Sequence, residues 1–167
     1  MIIALTGFMG SGKSSVGKEL STLLGCHFID LDDAVEKMDG RTIPEIFAED
    51  GEEMFRQEEA EALKKTLADQ DGRDSVIALG GGSVMNAQIR GMLSEAVVIY
   101  LRTSLEELEE RLKESTGRPM LQKYGIAELL GARIPTYEST ADFTVDTDKK
   151  NPAETAGEIV YMMSSRS

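Results

Sequence analysis

The chain is poor in the residues that build extracellular frameworks and membrane anchors. A single cysteine, Cys26, among 167 residues excludes an intrachain disulfide and fits a reducing compartment. No apolar run approaches the roughly 18 residues of a membrane span. The apolar start, Met1 to Leu5, gives way to a glycine-rich loop before it reaches the length of a secretory signal. Basic charge is scarce as well. Eighteen Lys and Arg stand against 30 Asp and Glu, a net charge of −12, which argues against a nucleic-acid backbone or an anionic membrane as the main partner. No internal repeat or low-complexity tract is visible. A cytoplasmic globular protein is the expectation, and 41% hydrophobic with 29% charged residues agrees with it. The length suits one domain, 1–167, with a real core.

What is present is alternation. Ile2–Thr6, His27–Asp30, Val76–Leu79 and Val97–Leu101 are short apolar runs, and Phe143–Asp146 is a weaker fifth. Such runs suit parallel strands covered on both faces. Helical spacing separates them: Val16, Leu20, Leu23 and Leu24; Ala60, Leu63 and Leu67; Leu105, Leu108 and Leu112; Ala153, Ala156, Val160 and Met163. Ser104 with Glu107 reads as a capping box, and Asn151-Pro152 as a helix start. The fold class is therefore α/β, a parallel sheet with helices on both sides. Two stretches interrupt the alternation. Residues 31–72 hold two or three helical pieces with no strand between them, one starting near Thr42. Residues 114–125 carry Gly and Pro with little periodicity, a candidate lid.

The strongest chemical signal is Gly7-Phe-Met-Gly-Ser-Gly-Lys-Ser14, a G-x-x-x-x-G-K-[ST] loop between a strand pattern and a helix pattern. Its glycines free backbone N–H groups for phosphate oxygens, and the helix start adds partial positive charge. Lys13 is placed to reach β- and γ-phosphates, and the Ser14 hydroxyl to ligate Mg²⁺. The loop identifies a nucleoside triphosphate as donor and leaves the acceptor open. Asp30-Leu-Asp32-Asp33 follows the second strand, where α/β sheets place ligands. If the chain stays extended, Asp30 and Asp32 share a side, one to hold Mg²⁺ and one to take a hydroxyl proton; the competing view is a helix cap, for which Asp33 is the better candidate. Gly80-Gly81-Gly82 closes the third strand, where many P-loop ATPases carry an Asp that is missing here. Arg56, Arg111, Arg118 and Arg133 are forks suited to carboxylate or phosphate, or else solvated surface residues. His27 reads as a packing or edge residue, Cys26 as a small core residue, and Glu106, Glu107, Glu109 and Glu110 as a solvated helix face.

Taken in order, the loop Gly7–Ser14, Phe28-Ile-Asp-Leu-Asp32, Phe47 to Glu59 with Phe55-Arg56, Gly80–Gly82, Arg118-Pro-Met-Leu121, Arg133 to Glu138 and Asn151-Pro152 resemble the shikimate kinases over nearly the whole chain. The resemblance implies a P-loop three-layer α/β/α fold with a five-stranded parallel sheet of order 2-3-1-4-5, a substrate-binding insertion at about 31–60 and a lid at about 113–125. It implies phosphoryl transfer from MgATP to the 3-hydroxyl of shikimate, with one Mg²⁺ and usually a monomer. Gly10, Ser11, Gly12, Lys13, Ser14 and Ser15 would hold phosphate, with Arg111, Lys150 and Pro152 near adenine and Arg118 reaching the phosphates from the lid. Lys150 stands where many members carry Arg. Ser14 and Asp30 would hold the metal. Asp32, Arg56, Gly80, Gly81, Gly82 and Arg133 would bind shikimate, with Lys13, Asp32 and Arg118 catalytic and Asp32 the candidate base. Competing readings are a P-loop kinase for gluconate or a nucleoside monophosphate, and a nucleotide-binding regulatory module without turnover.

Overall fold

The computed structural model describes residues 1–113 and 125–166. Five strands, β1 (Ile2–Thr6), β2 (His27–Asp30), β3 (Ser75–Ala78), β4 (Val97–Arg102) and β5 (Phe143–Asp146), form one parallel sheet of order β2-β3-β1-β4-β5. The register aligns Asp30 with Ala78, Ala78 with Leu5, Leu5 with Ile99 and Ile99 with Phe143. The chain therefore leaves β2, β3 and β1 at one edge, where the acidic, triple-glycine and phosphate-loop segments come together.

Alternation along the strands sorts the core into two layers. Ile3 and Leu5 face one side with Val16 and Leu20 of α1 (Lys13–Leu24) and Ala156 and Ile159 of the last helix, Pro152–Ser164. Ala4, Ile77, Val98 and Tyr100 face the other, under α2 (Leu31–Asp39), α3 (Ile43–Asp69), α4 (Ala87–Met92), α5 (Leu105–Leu112) and α6 (Ile126–Thr140). The last helix is α7 in this numbering. The three central strands, β3, β1 and β4, are covered on both faces, and their residues are accordingly mostly apolar. Among the described residues no helix is long and apolar enough to cross a membrane.

Local signals set the helix ends. Thr42 caps α3 by accepting from Glu45 N, with Pro44 in the first turn. Asn151 and Glu154 form a reciprocal capping box on α7. The box expected at Ser104 is half formed: Ser104 accepts from Glu107 N, but its own N–H goes to Asp148, and Glu107 instead pairs with Arg111. The cap of α2 is Asp30, which accepts from Asp32 N and Asp33 N, and Asp33 lies inside the first turn. The condition that the chain stay extended from Asp30 to Asp32 is not met, since the backbone turns helical at Leu31 once Asp30 has captured those two N–H groups. β3 runs one residue earlier than the apolar run suggests, because Leu79 has already left the ladder, though its N–H still reaches Leu5 O. Leu23 and Leu24 are exposed: α1 reverses at Gly25 into β2, and its buried stripe ends at Leu20 and Ser21. On α7 the stripe is Thr155, Ala156 and Ile159, with Ala153 outside it. His27 is an exposed edge-strand residue, and Cys26 is half-buried against the core. The region 31–72 holds two helices, the second kinked at Gly51.

Candidate active site

Three cavities lie along the loop edge of the sheet and share walls. The largest, about 560 Å³, is lined by Gly10, Gly12, Lys13, Ser14, Ser15, Asp30 and Asp32 among others. On one side Met9, Asp32 and Gly81 separate it from a cavity of about 250 Å³ that holds Arg56, Glu59, Gly80, Gly82 and Arg133. On the other side Gly10, Gly12, Ser15 and Arg111 belong both to it and to a third cavity of about 290 Å³ with Lys150 and Pro152. Residues scattered from 9 to 155 thus line one continuous trough.

The phosphate loop fills the middle. Gly12, at φ 93°, sits in the left-handed region that favours glycine and turns the chain into α1. Lys13 is buried and folds back on its own loop, donating to Gly7 O at 2.7 Å and Phe8 O at 3.0 Å. The Ser14 hydroxyl donates to Asp30 Oδ2, while Asp30 Oδ1 caps α2. Asp30 therefore links the loop to the start of α2, and that first turn carries Asp32 to the wall shared by two cavities.

The cavity of about 250 Å³ is built around two arginines. Arg56 on α3 donates from Nη1 to Glu59 Oε1 at 2.9 Å, and Ser83 Oγ donates to Glu59 Oε2 at 2.7 Å. A fully buried glutamate is tolerated because it is paired and hydrogen-bonded. Arg133 on α6 is 4% exposed, and its buried Nη1 has no hydrogen-bond partner within the protein. A buried donor left unsatisfied costs about 1–3 kcal/mol, so this nitrogen is poised to bond an anion in the cavity. The glycines give the arginines room. A Cβ on Gly82 would lie 2.5 Å from Arg56 Nη2 and 3.0 Å from Arg133 Nη2, although its backbone is ordinary. Tyr137, fully buried, donates its hydroxyl to Gly81 O and stacks on Tyr100 with centroids 5.1 Å apart. Burial pushes its phenol up to about 12, so it remains a donor throughout the physiological range.

At the far end Arg111 donates to Gly10 O and Thr147 O, each at 3.1 Å, and so braces the phosphate loop. Lys150 lines the cavity, but its ammonium is tied to Asp146 O at 2.9 Å and to Glu158. Arg118 and nearly all of the candidate lid lie outside the described residues. Every other residue expected at the site lines the trough, Ser11 in the third cavity beside Lys150 and Pro152. Sequence reasoning assigned no role to Glu36, Phe47, Phe55, Glu59 or Tyr137, all of which line the arginine-bearing cavity or bond its wall. The i, i+3 spacing of Arg56 and Glu59 is the one local signal that pointed to a pair.

Magnesium takes one or two protein oxygens and completes its shell with phosphate and water. Ser14 Oγ and Asp30 Oδ2, in contact beside the phosphate loop, are such oxygens. Among the described residues no cluster of three or more His, Cys, Asp or Glu could hold an ion by itself.

Residues 9–164 match the family model described as shikimate kinase. A shikimate kinase of Mycobacterium marinum is 42% identical over 166 residues, covering 97% of this chain and 86% of that protein. A shikimate kinase of Acinetobacter baumannii, solved in complex with shikimate, superposes with a TM-score of 0.91 at 34% identity, covering 99% of this chain and 93% of that one. The enzyme of Aquifex aeolicus superposes with a TM-score of 0.85 at 37% identity over 99% and 98% of the two chains.

Proposed function

The chain belongs to the shikimate kinase family, and from that premise we propose how its residues carry phosphoryl transfer from ATP to the 3-hydroxyl of shikimate. It is an ATP-dependent kinase acting on a hydroxyl of shikimate. The observation that carries the residue assignment is the shared wall: Asp32 and Gly81 border both the phosphate-loop cavity and the cavity holding Arg56 and Arg133.

Arg133 and Arg56 grip the shikimate carboxylate, and the bond satisfies the orphaned Arg133 Nη1. Glu59 and Ser83 hold Arg56 in place, and Tyr137 holds Gly81. With the acid anchored, its ring hydroxyl lies against Asp32, which orients it and accepts its proton. The triphosphate lies over the loop N–H groups, and Lys13 exchanges the carbonyls of Gly7 and Phe8 for phosphate oxygens. Ser14 and Asp30 would hold Mg²⁺, which when bound neutralises charge on the β- and γ-phosphates. Arg111 and Pro152 flank the base. Positioning and charge stabilisation supply most of the rate in such transfers.

The test is ADP release with shikimate, gluconate or nucleoside monophosphates as acceptor. Shikimate alone should support turnover, and equal turnover with gluconate would refute the acceptor assignment.

A further inference from the structure

Gly40, at φ 90°, ends α2, and Thr42 begins α3 two residues later, so Arg41 sits at the corner between them. Glu36, on the wall of the acceptor cavity, secures that corner by accepting from Ile43 N at 2.7 Å. Beyond it α3 breaks at Gly51, whose φ of 85° and ψ of 173° belong to glycine alone. The break divides the cavity wall. Ile43, Pro44 and Phe47 come from the segment before it, and Phe55, Arg56 and Glu59 from the segment after it. A glycine imposes no angle on its neighbours, and a Cβ there would meet nothing within 4 Å, so side chains must hold the two segments in place. Phe47 and Phe55 pack across the break with centroids 4.8 Å apart. Arg41 supplies the polar tie. It grips Asp39 with Nε at 2.7 Å and Nη2 at 2.9 Å, Glu49 with Nη1 at 2.8 Å and Asp50 with Nη2 at 2.6 Å, and it stands 3.9 Å from Glu58. Glu49 and Asp50 precede the break and Glu58 follows it.

We propose that Arg41 is a positioning residue for the acceptor: by hydrogen-bonding carboxylates before the Gly51 break and standing within ion-pair reach of Glu58 after it, it sets the angle of α3 and so the width of the acceptor cavity. This rests on reading that cavity as the shikimate site. Four carboxylates surround one guanidinium, so the corner opens by repulsion when the cation is removed. The groups that face Arg41 are Asp39 from α2 and Glu49, Asp50 and Glu58 from α3. Their crowding is already visible, as burial and the neighbouring Asp39 push Glu58 up, while Arg41 holds Asp39 at about 2.

The experiment compares wild type, Arg41→Met, Arg41→Lys and Gly51→Ala in ADP release and in thermal melting. Arg41→Met should raise the shikimate KM about tenfold, with kcat and the ATP KM within about twofold of wild type. The ratio of its shikimate KM to that of wild type should shrink from about pH 8 to about pH 5.5, as protonation relieves the excess charge. Lysine should restore only part of the loss, since a point charge cannot take Asp39 with two nitrogens and still reach Glu49 and Asp50. Gly51→Ala, which changes no charge, should raise the shikimate KM without that pH trend, and it decides the question if Arg41→Met does not fold. An unchanged shikimate KM in the folded variants, or equal losses for both substrates, overturns the proposal. A wild-type chain with no shikimate-dependent turnover would instead sink the function on which the proposal rests.

Discussion

The two halves of this site are made differently. The donor half is almost all local backbone: eight consecutive residues, Gly7 to Ser14, supply the turn, the helix start, the lysine and the hydroxyl. The half proposed for the acceptor is assembled from four segments far apart in the chain, with Asp32 on α2, Arg56 and Glu59 on α3, the Gly80–Gly82 backbone after β3, and Arg133 and Tyr137 on α6. The lesson concerns where specificity resides. A nest of N–H groups recognises phosphate whatever the sequence elsewhere, whereas a cavity that holds a carboxylate and hydroxyls needs the topology to bring distant side chains together.

Substitutions at the seam, in each half and away from both should separate these contributions. The largest effect is expected at Asp32, where the halves meet. Asp32→Asn should lower kcat about 10³-fold or more, with ATP still bound; normal turnover in steady-state assays would remove Asp32 as the base. A smaller effect comes from the glycines, and it should split by half. Gly82→Ala places a Cβ against both arginines and should raise the shikimate KM about tenfold while the ATP KM holds. Gly10→Ala meets Leu112 at 3.0 Å and a φ of 87°, and should raise the ATP KM instead. Initial-rate kinetics with each substrate varied would show the split or its absence.

The smallest effect is expected at Arg102, which pairs with Asp146 at 2.6 Å across β4 and β5, both side chains about half exposed. Arg102→Gln should cost less than about 0.5 kcal/mol and leave both KM values unchanged. Arg102 holds the Asp146 carboxyl below its usual range. A lowered folded-state value gives stability that is present above the unfolded value of about 3.9 and is lost as pH falls through the folded value. The variant and wild type should therefore differ slightly in melting temperature at neutral pH and converge below about pH 3.

The same contrast explains what could be read from the sequence. The loop and all five strands were legible because their signals are contiguous: an apolar run, a Gly-rich turn, a helix period. The arginines were legible as candidates, and the resemblance paired Arg56 with Arg133, but residue types alone do not say which ones a fold will bury together. Glu59 was obscured because it lies in a run of acidic residues that reads as solvated surface; only the packing of α3 against the turn at Ser83–Met85 turns it inward, where it meets Ser83 and pairs with Arg56. Tyr137 carries no local mark of its bond to Gly81, 56 positions away. Asp33 was the favoured cap, since it directly precedes the helical run; the structure instead uses Asp30, one oxygen for the helix and the other for Ser14. The Gly51 break was equally hidden, since a lone glycine in a helical pattern does not reveal its angle.

In the proposed arrangement the buried guanidinium of Arg133 serves the acceptor cavity and takes no part in holding ATP. Calorimetric titration of wild type and Arg133→Met with shikimate and, separately, with ATP tests it most directly. The variant should lose about 10²-fold or more in shikimate affinity while binding ATP as wild type does; retained shikimate affinity, or a parallel loss of ATP affinity, would remove Arg133 from that role.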